Sequence, residues 1–284
     1  MFDPSLNEIY QAKLSTEDFN RLSSFIYKES GIKLPPVKRI MLQSRLQRRL
    51  KDLKIATFKE YCEYVFSKDG LNNEIIHMLD VVSTNKTDFF REPAHFEFLS
   101  SLVLPEFIEG SNNKIFKVWS AGSSSGEEPY TIAITLFEFT EQHPGFSFSI
   151  LGTDISTRIL EKATNAVYKE DSVENMPYNL KKKYLLKSRD RTNPTIKIAP
   201  HVRQKVRFDR LNLMDDYYNL PDTFDVIFCR NVLIYFDRQT QEKVINKLCA
   251  KLKPNGYFFL GHSESIMNME VSLKHIKPTI YIKK

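Results

Sequence analysis

Disulfide pairing, metal-ligand spacing and membrane spans are all missing from this chain. Its three cysteines, Cys62, Cys229 and Cys249, are odd in number, far apart and set in apolar patterns. That argues against disulfides and fits a reducing compartment. Their spacing suggests no zinc site, and the six histidines are scattered, with no pair at helical ligand spacing. No apolar run approaches the ~20 residues that a membrane-crossing helix needs. The first residues lack a basic segment followed by an apolar one, so no signal peptide is expected and a cytoplasmic location is. Internal repeats and low-complexity tracts are absent too. What remains is a chain of 284 residues, 42% of them hydrophobic, enough for one large domain or two ordinary ones with real cores. Lys and Arg outnumber Asp and Glu by 41 to 35, a net charge of +6, which fits a mildly basic surface or an anionic partner.

The front of the chain reads as helices only. Thr16 to Ser30 carries Phe19, Leu22, Phe25 and Ile26 on one face and stops at Gly31. A second helix runs from about Pro36 to Lys54, with Ile40, Leu42, Leu46, Leu50 and Leu53 expected on its buried side. Thr57 and Glu60 form a capping box for a third helix through Phe66, and a fourth is expected from Leu71 to about Val82. Four short helices with short links suggest a small bundle. A polar connection, Ser83 to Asp88, leads into Phe89-Phe90-Arg91-Glu92-Pro93 and a helix bearing Phe96, Leu99 and Leu102.

The pattern then changes. Strands are expected at Ile115–Ser120, Phe146–Thr153, Phe224–Cys229, Tyr257–Gly261 and Thr279–Ile282. They alternate with helices at about 127–140, 156–166 and 239–252, which argues for a parallel, doubly wound sheet. Between Tyr184 and Phe208 the rhythm breaks into three expected short strands, Tyr184–Leu186, Thr195–Ile198 and Val202–Phe208, read as a small antiparallel insert.

The loop Ala121-Gly122-Ser123-Ser124-Ser125-Gly126 follows a strand and opens a helix, as in nucleotide-type cofactor sites. Asp154, at the end of the next strand, stands where an acid grips a ribose diol. Two acids, Glu127 and Glu128, begin the helix. They would repel a pyrophosphate but suit an ammonium or sulfonium, which favours S-adenosylmethionine over a dinucleotide. Asn212 is a candidate for the adenine edge, and Arg230-Asn231 sits at the carboxyl edge of a buried strand.

At this point the chain resembles the chemotaxis-receptor protein-glutamate O-methyltransferase family, CheR. The resemblance rests on Thr84-Asn85-Lys86-Thr87-Asp88-Phe89-Phe90-Arg91-Glu92, Gly126-Glu127-Glu128-Pro129-Tyr130 and Gly152-Thr153-Asp154-Ile155-Ser156. It continues in Asn212-Leu213, in Cys229 through Asp237, and in Gly261-His262-Ser263-Glu264-Ser265. It implies an all-α N-terminal domain (1–82) for receptor docking, and a linker (83–92) that contributes to the cofactor site. A Rossmann-like α/β methyltransferase domain (93–284) follows, with the antiparallel β-subdomain (181–208) inserted in it. It implies cofactor contacts at Asn85, Thr87, Arg91, Glu128, Asp154, Asn212, Leu213, Arg230 and Asn231, with Glu128 ranked above Glu127, and S-adenosylhomocysteine as product.

The implied reaction moves a methyl group to a receptor glutamate. A carboxylate is ionised at pH 7 and needs no strong base, so the enzyme's work is alignment and desolvation. Tyr235 and Arg91 are the candidates for orienting the carboxylate. The basic second helix, through Arg45, Arg48 and Arg49, is the candidate docking surface for the acidic methylation helices of the receptor. In part of the family the β-insert also binds the receptor's C-terminal peptide through a glycine-bearing turn. Here Lys187 to Pro194 has no glycine, so that tether is not counted on. The chain is expected to act as a monomer without membrane insertion. Two rival readings fit less well. A nucleic-acid methyltransferase would show an Asn/Asp-Pro-Pro-aromatic motif where Arg230-Asn231-Val232-Leu233 stands, and a non-catalytic cofactor-binding module would not need the intact polar set.

Overall fold

The computed structural model describes residue 9 and residues 11–110 and 115–284; residues 1–8 and 10 of the expected front domain lie outside them. Helix α1 (Thr16–Ser30) is capped by the Ser15 side chain, which accepts from the Asp18 amide. It ends at Gly31 with φ 72°, where an added Cβ would lie 2.6 Å from the Phe236 ring. Helices α2 (Arg39–Leu53) and α3 (Phe58–Val65) follow, and the Thr57–Glu60 capping box is formed. Leu22, Ile26, Leu42, Leu46, Leu50 and Tyr61 are fully buried in the core of this bundle. Ile40 is not among them. It is 76% exposed, because two residues at about 100° each turn it to the face opposite Leu42.

The helix expected from Leu71 is two helices, α4 (Lys68–Asn73) and α5 (Ile75–Val82), which break at Glu74. The Glu74 carboxylate is buried and accepts from Arg49 Nε and Nη2, both at 2.8 Å, and from the Tyr61 hydroxyl at 2.9 Å. The break thus brings a charge-balancing acid against the middle of α2.

After the linker come α6 (Ala94–Phe98), a π-helical turn (Leu99–Val103) and α7 (Leu104–Glu109). Then the sheet begins with β1 (Ile115–Ala121), α8 (Glu127–Gln142), β2 (Ser147–Asp154), α9 (Thr157–Asn165) and the short β3 (Val167–Lys169). Helix α10 (Tyr178–Tyr184), β4 (Leu185–Lys187), β5 (Thr195–Ile198), a single turn α11 (Pro200–Arg203) and β6 (Val206–Arg210) complete the middle of the chain. The end comprises β7 (Phe224–Cys229), α12 (Arg238–Lys251), β8 (Leu252–Leu260), β9 (Leu273–Lys277) and β10 (Ile280–Lys283). The main sheet has the order β6-β2-β1-β7-β8-β10-β9. Its first five strands are parallel, and β10 and β9 are antiparallel. One apolar core lies on each face, and the stacked pair Phe228 and Phe259, 4.4 Å apart, joins β7 to β8. The Rossmann-like expectation holds.

The insert differs from expectation. Its three-stranded sheet has the order β3-β5-β4, so the third strand is 167–169 rather than 202–208, and the unit does not coincide with 181–208. Pro200 starts a helical turn instead, and Val206 onward pairs with β2 from Ile150 to Asp154, because the parallel sheet needs a neighbour there. Asp190 closes the β4–β5 connection by accepting from the Thr192 amide at 2.8 Å, the work of an Asx turn in place of a glycine.

The Arg49–Glu74 pair makes a test. Arg49→Ala leaves a buried carboxylate uncompensated, so it should destabilise the chain by about 3–5 kcal/mol. Chemical denaturation measures this, and a loss below about 1 kcal/mol would assign the pair a surface-like weight.

Candidate functional site

Sheet order reverses between β1 and β7, and the crevice at their carboxyl ends is where such folds hold ligands. The loop after β1 turns at Gly122 (φ 83°), where a Cβ would meet Val232 at 2.4 Å. It then passes through left-handed Ser124 (φ 49°) and Gly126 into α8. Phe90 (φ 55°), Glu92 (φ 57°) and Asn231 (φ 60°) are also left-handed, so four non-glycine residues around one crevice hold a conformation that costs roughly 1–2 kcal/mol each. Such strain persists only where the surroundings enforce it.

One cavity occupies the crevice, and the helical domain forms part of its wall through Lys33, Lys38 and Met41. All nine residues expected at the cofactor line it, from Asn85, Thr87 and Arg91 in the linker to Asn231, and so does Tyr235. Glu127 does not. It is buried and accepts from the Ser125 hydroxyl at 2.6 Å, whereas Glu128 faces the cavity.

Arg230 and Glu128 line the cavity, and Arg230 also meets Glu92 outside the lining. Arg230 Nη1 lies 3.2 Å from Glu128, its Nη2 lies 3.0 Å from Glu92, and the same nitrogen donates to the Arg91 carbonyl at 2.5 Å. The Ser120 hydroxyl donates to Glu128 at 2.7 Å. Burial pushes the Glu128 carboxyl above its ordinary range, against the pull of Arg230. Glu92 is raised by burial, but the charge of Arg230 and the hydrogen bond from the His262 amide outweigh that and hold it low. Asp154 accepts from the Ser124 amide at 2.9 Å and the Ser156 amide at 3.0 Å, and burial raises its pKa as well. A carboxylate offers about four lone-pair sites, so its oxygens keep capacity for a ribose hydroxyl.

Asn212 is engaged otherwise than expected. Its amide nitrogen donates to the Glu29 carbonyl at 2.6 Å and its oxygen accepts from the Met214 amide at 3.0 Å, so it pins α1 to the sheet as well as lining the cavity. The Tyr235 carbonyl accepts from the Lys33 amide at 3.0 Å. Its hydroxyl has no partner among the described residues. The docking set splits. Arg49 is committed to Glu74 and Asp52, and Arg45 donates to the Val82 and Ser83 carbonyls and, at 3.0 Å, to the Thr84 hydroxyl. Both turn inward, and of the three only Arg48 stays exposed.

Sequence reasoning assigned no role to Glu264, which is buried and accepts four backbone amides: Gly261 at 2.7 Å, Asn231 at 2.8 Å, Val232 at 2.9 Å and Leu233 at 2.7 Å. It shapes the segment that presents Asn231 and Tyr235. An acid just beyond an apolar strand was the only local signal.

A doubly wound sheet with a crevice at its switch point, an acid at the start of the first helix and another at the end of the second strand is the frame of a methyltransferase of the S-adenosylmethionine-dependent class. Residues 85–282 match the model described as CheR methyltransferase, SAM binding domain, and residues 17–83 match CheR methyltransferase, all-alpha domain. The chain belongs to the CheR methyltransferase family, and its cofactor is S-adenosylmethionine. It is 39% identical to the chemotaxis protein methyltransferase of Borreliella burgdorferi over 95% of each chain. It is 35% identical to chemotaxis protein methyltransferase 2 of Pseudomonas aeruginosa, over 93% of this chain and 92% of that one. Identity to the chemotaxis protein methyltransferase of Escherichia coli is also 35%, over 94% and 91%.

The raised Glu128 carboxyl predicts a pH signature. A carboxylate whose pKa is raised takes up its proton at higher pH, so cofactor affinity should fall on acidification from a pH above the ordinary ~4.3 of glutamate. Calorimetric titration of S-adenosylhomocysteine across pH reads the bend. In Glu128→Gln affinity should be lower at neutral pH and the bend reduced; a profile identical to that of the native protein would remove Glu128 from the contact.

Proposed function

We propose that this protein esterifies the side-chain carboxylate of glutamates in the cytoplasmic helices of chemoreceptors. The observation that carries this reading is the pairing of a cation-seeking floor, Glu128 and Asp154, with the partnerless Tyr235 hydroxyl and the Arg91 guanidinium in one cavity. Glu128 would receive the cofactor's ammonium, Asp154 the ribose hydroxyls, and Leu213 and Phe236 the apolar ring faces. Bound there, the cofactor supplies a methyl group on a sulfonium, which an ionised carboxylate displaces in line. No general base is required, and the chain's residues position and desolvate. Tyr235 donates its hydroxyl to the incoming carboxylate. Arg91, tethered to the Lys86 carbonyl at 3.3 Å, offsets its charge.

The receptor reaches this mouth along the outer face of α2. Val37 and Ile40 are 82% and 76% exposed beside the cavity-lining Lys38 and Met41, and exposed Arg48 and Lys51 continue the stripe along the helix. An apolar end and a basic end suit an amphipathic acidic helix. This revises the docking set from Arg45, Arg48 and Arg49 to Val37, Ile40, Arg48 and Lys51. We take the protein to act as a monomer.

Methyl-labelled cofactor incubated with receptor-containing membranes should transfer label that mild base releases as methanol. Base-stable label would point to an amine or amide acceptor instead.

Two variants separate the roles. Tyr235→Phe should lower turnover by about 10-fold or more while the receptor KM changes little, since it removes one positioned hydrogen bond. Arg48→Glu should raise the receptor KM and spare turnover. A reversed pattern would exchange the two assignments, and no change in either variant would defeat both.

A further inference from the structure

Behind Arg230, on the side away from the cavity, three lone pairs meet. Glu92 Oε2 lies 3.6 Å from His95 Nδ1 and 3.9 Å from His262 Nε2, and all three atoms fall within 4.8 Å of one another. His95 is 2% exposed, and its Nδ1 has no hydrogen-bond partner among the described residues. With the Thr279 hydroxyl donating to the Pro278 carbonyl, its oxygen accepts from His95 Nε2–H at 2.8 Å, the tautomer that would suit a metal ligand at Nδ1. That leaves the Nδ1 lone pair bare and aimed at a carboxylate. Two acceptors buried face to face repel unless something positive lies between them.

We propose that Glu92, His95 and His262 form a binding site for a divalent transition-metal ion of the zinc class. Two imidazoles and one carboxylate are a donor set for zinc, cobalt or nickel rather than for magnesium or calcium, which take all-oxygen shells. A tetrahedral zinc with bonds near 2.1 Å needs ligand atoms about 3.4 Å apart, so Glu92 Oε2 need draw only a few tenths of an ångström closer to each ring nitrogen, and the two imidazoles close in from within 4.8 Å of one another. Glu92 and His95 flank the start of α6, and His262 comes from the loop after β8. The His262 side chain is 61% exposed, which leaves an entry path and room for water as a fourth ligand. The local charge permits it, because Arg230 faces two acids, Glu92 and Glu128. An ion there would share Glu92 Oε2 with Arg230 and clamp the linker to the β8 loop. No histidine pair at ligand spacing reveals this set in the sequence, since its members come from segments 170 residues apart.

The test uses tag-free, chelator-treated full-length protein titrated with cobalt(II). Visible d–d absorption typical of a four- or five-coordinate nitrogen/oxygen shell should grow to one equivalent and disappear on adding zinc. His262→Ala, a change at an exposed side chain, should abolish the saturating signal, while His275→Ala on β9 should keep it. Circular dichroism and S-adenosylhomocysteine binding verify that each variant is folded. The proposal is overturned if the native protein gives no such band, if His262→Ala keeps it, or if both variants lose it.

Discussion

Arg230 is the group on which the rest of the site depends. Its side chain is 2% exposed, and it joins Glu92 of the linker, Glu128 of α8 and the carbonyl of Arg91. A buried guanidinium is tolerated only when its donors are matched, and removing one partner strands the other charge. The three segments that must converge for a cofactor site to exist are therefore locked by one unit of charge balance. Two acids share this one base. The acids that open α8, where pyrophosphate-binding folds offer a bare helix N-terminus, set this doubly wound sheet apart from them.

The loop that carries Arg230 is itself held by Glu264. Four amides converge on its carboxylate, so the chain after β7 can leave the sheet with Asn231 left-handed and still satisfy its backbone. Burial raises the Glu264 pKa, while the amides oppose the shift by bonding the charged form. The site's strained residues and its buried acids are two sides of one arrangement: the acids supply the hydrogen bonds that make the unusual turns affordable.

Legibility in the sequence followed the range of the physics. The β1–loop–α8–β2 unit could be read because its signals are local: apolar strands, glycines at the turn, acids at a helix start, and an acid one strand later. The local signals left Glu127 and Glu128 together; the family resemblance ranked Glu128 first, and of the two only Glu128 lines the cavity. Family motifs brought in the linker and the β7 loop, and every residue so inferred faces the cavity. What failed was non-local. Spacing on α2 put Arg45 and Arg49 on one face, but their orientation is set by Glu74, 25 residues beyond Arg49, and by carbonyls 37 and 38 residues beyond Arg45. The alternation in 202–208 was a true strand signal assigned to the wrong sheet, because pairing with β2 cannot be seen in the strand itself.

The inward turn of Arg45 and Arg49 also explains how the helical domain can cover the cofactor and still admit a protein substrate. Arg45 fastens α2 to the end of α5 at Val82–Thr84, where the linker begins, and Thr157 of α9 donates to buried Asp80 at 3.0 Å. Tyr27 donates to Asp237, and Asn212 to the Glu29 carbonyl, on the opposite side of the cavity. The bundle is thus tied down at both flanks. The outer face of α2 keeps exposed Arg48 and Lys51, and next to the opening Ile40, with Val37 just before the helix, exposes apolar surface. On the proposed docking face, a partner helix would be gripped at the mouth by apolar contact and guided from farther along by Arg48 and Lys51. In that arrangement binding strength and reaction geometry are set by different residues, so a receptor can be released after each transfer without loosening the cofactor.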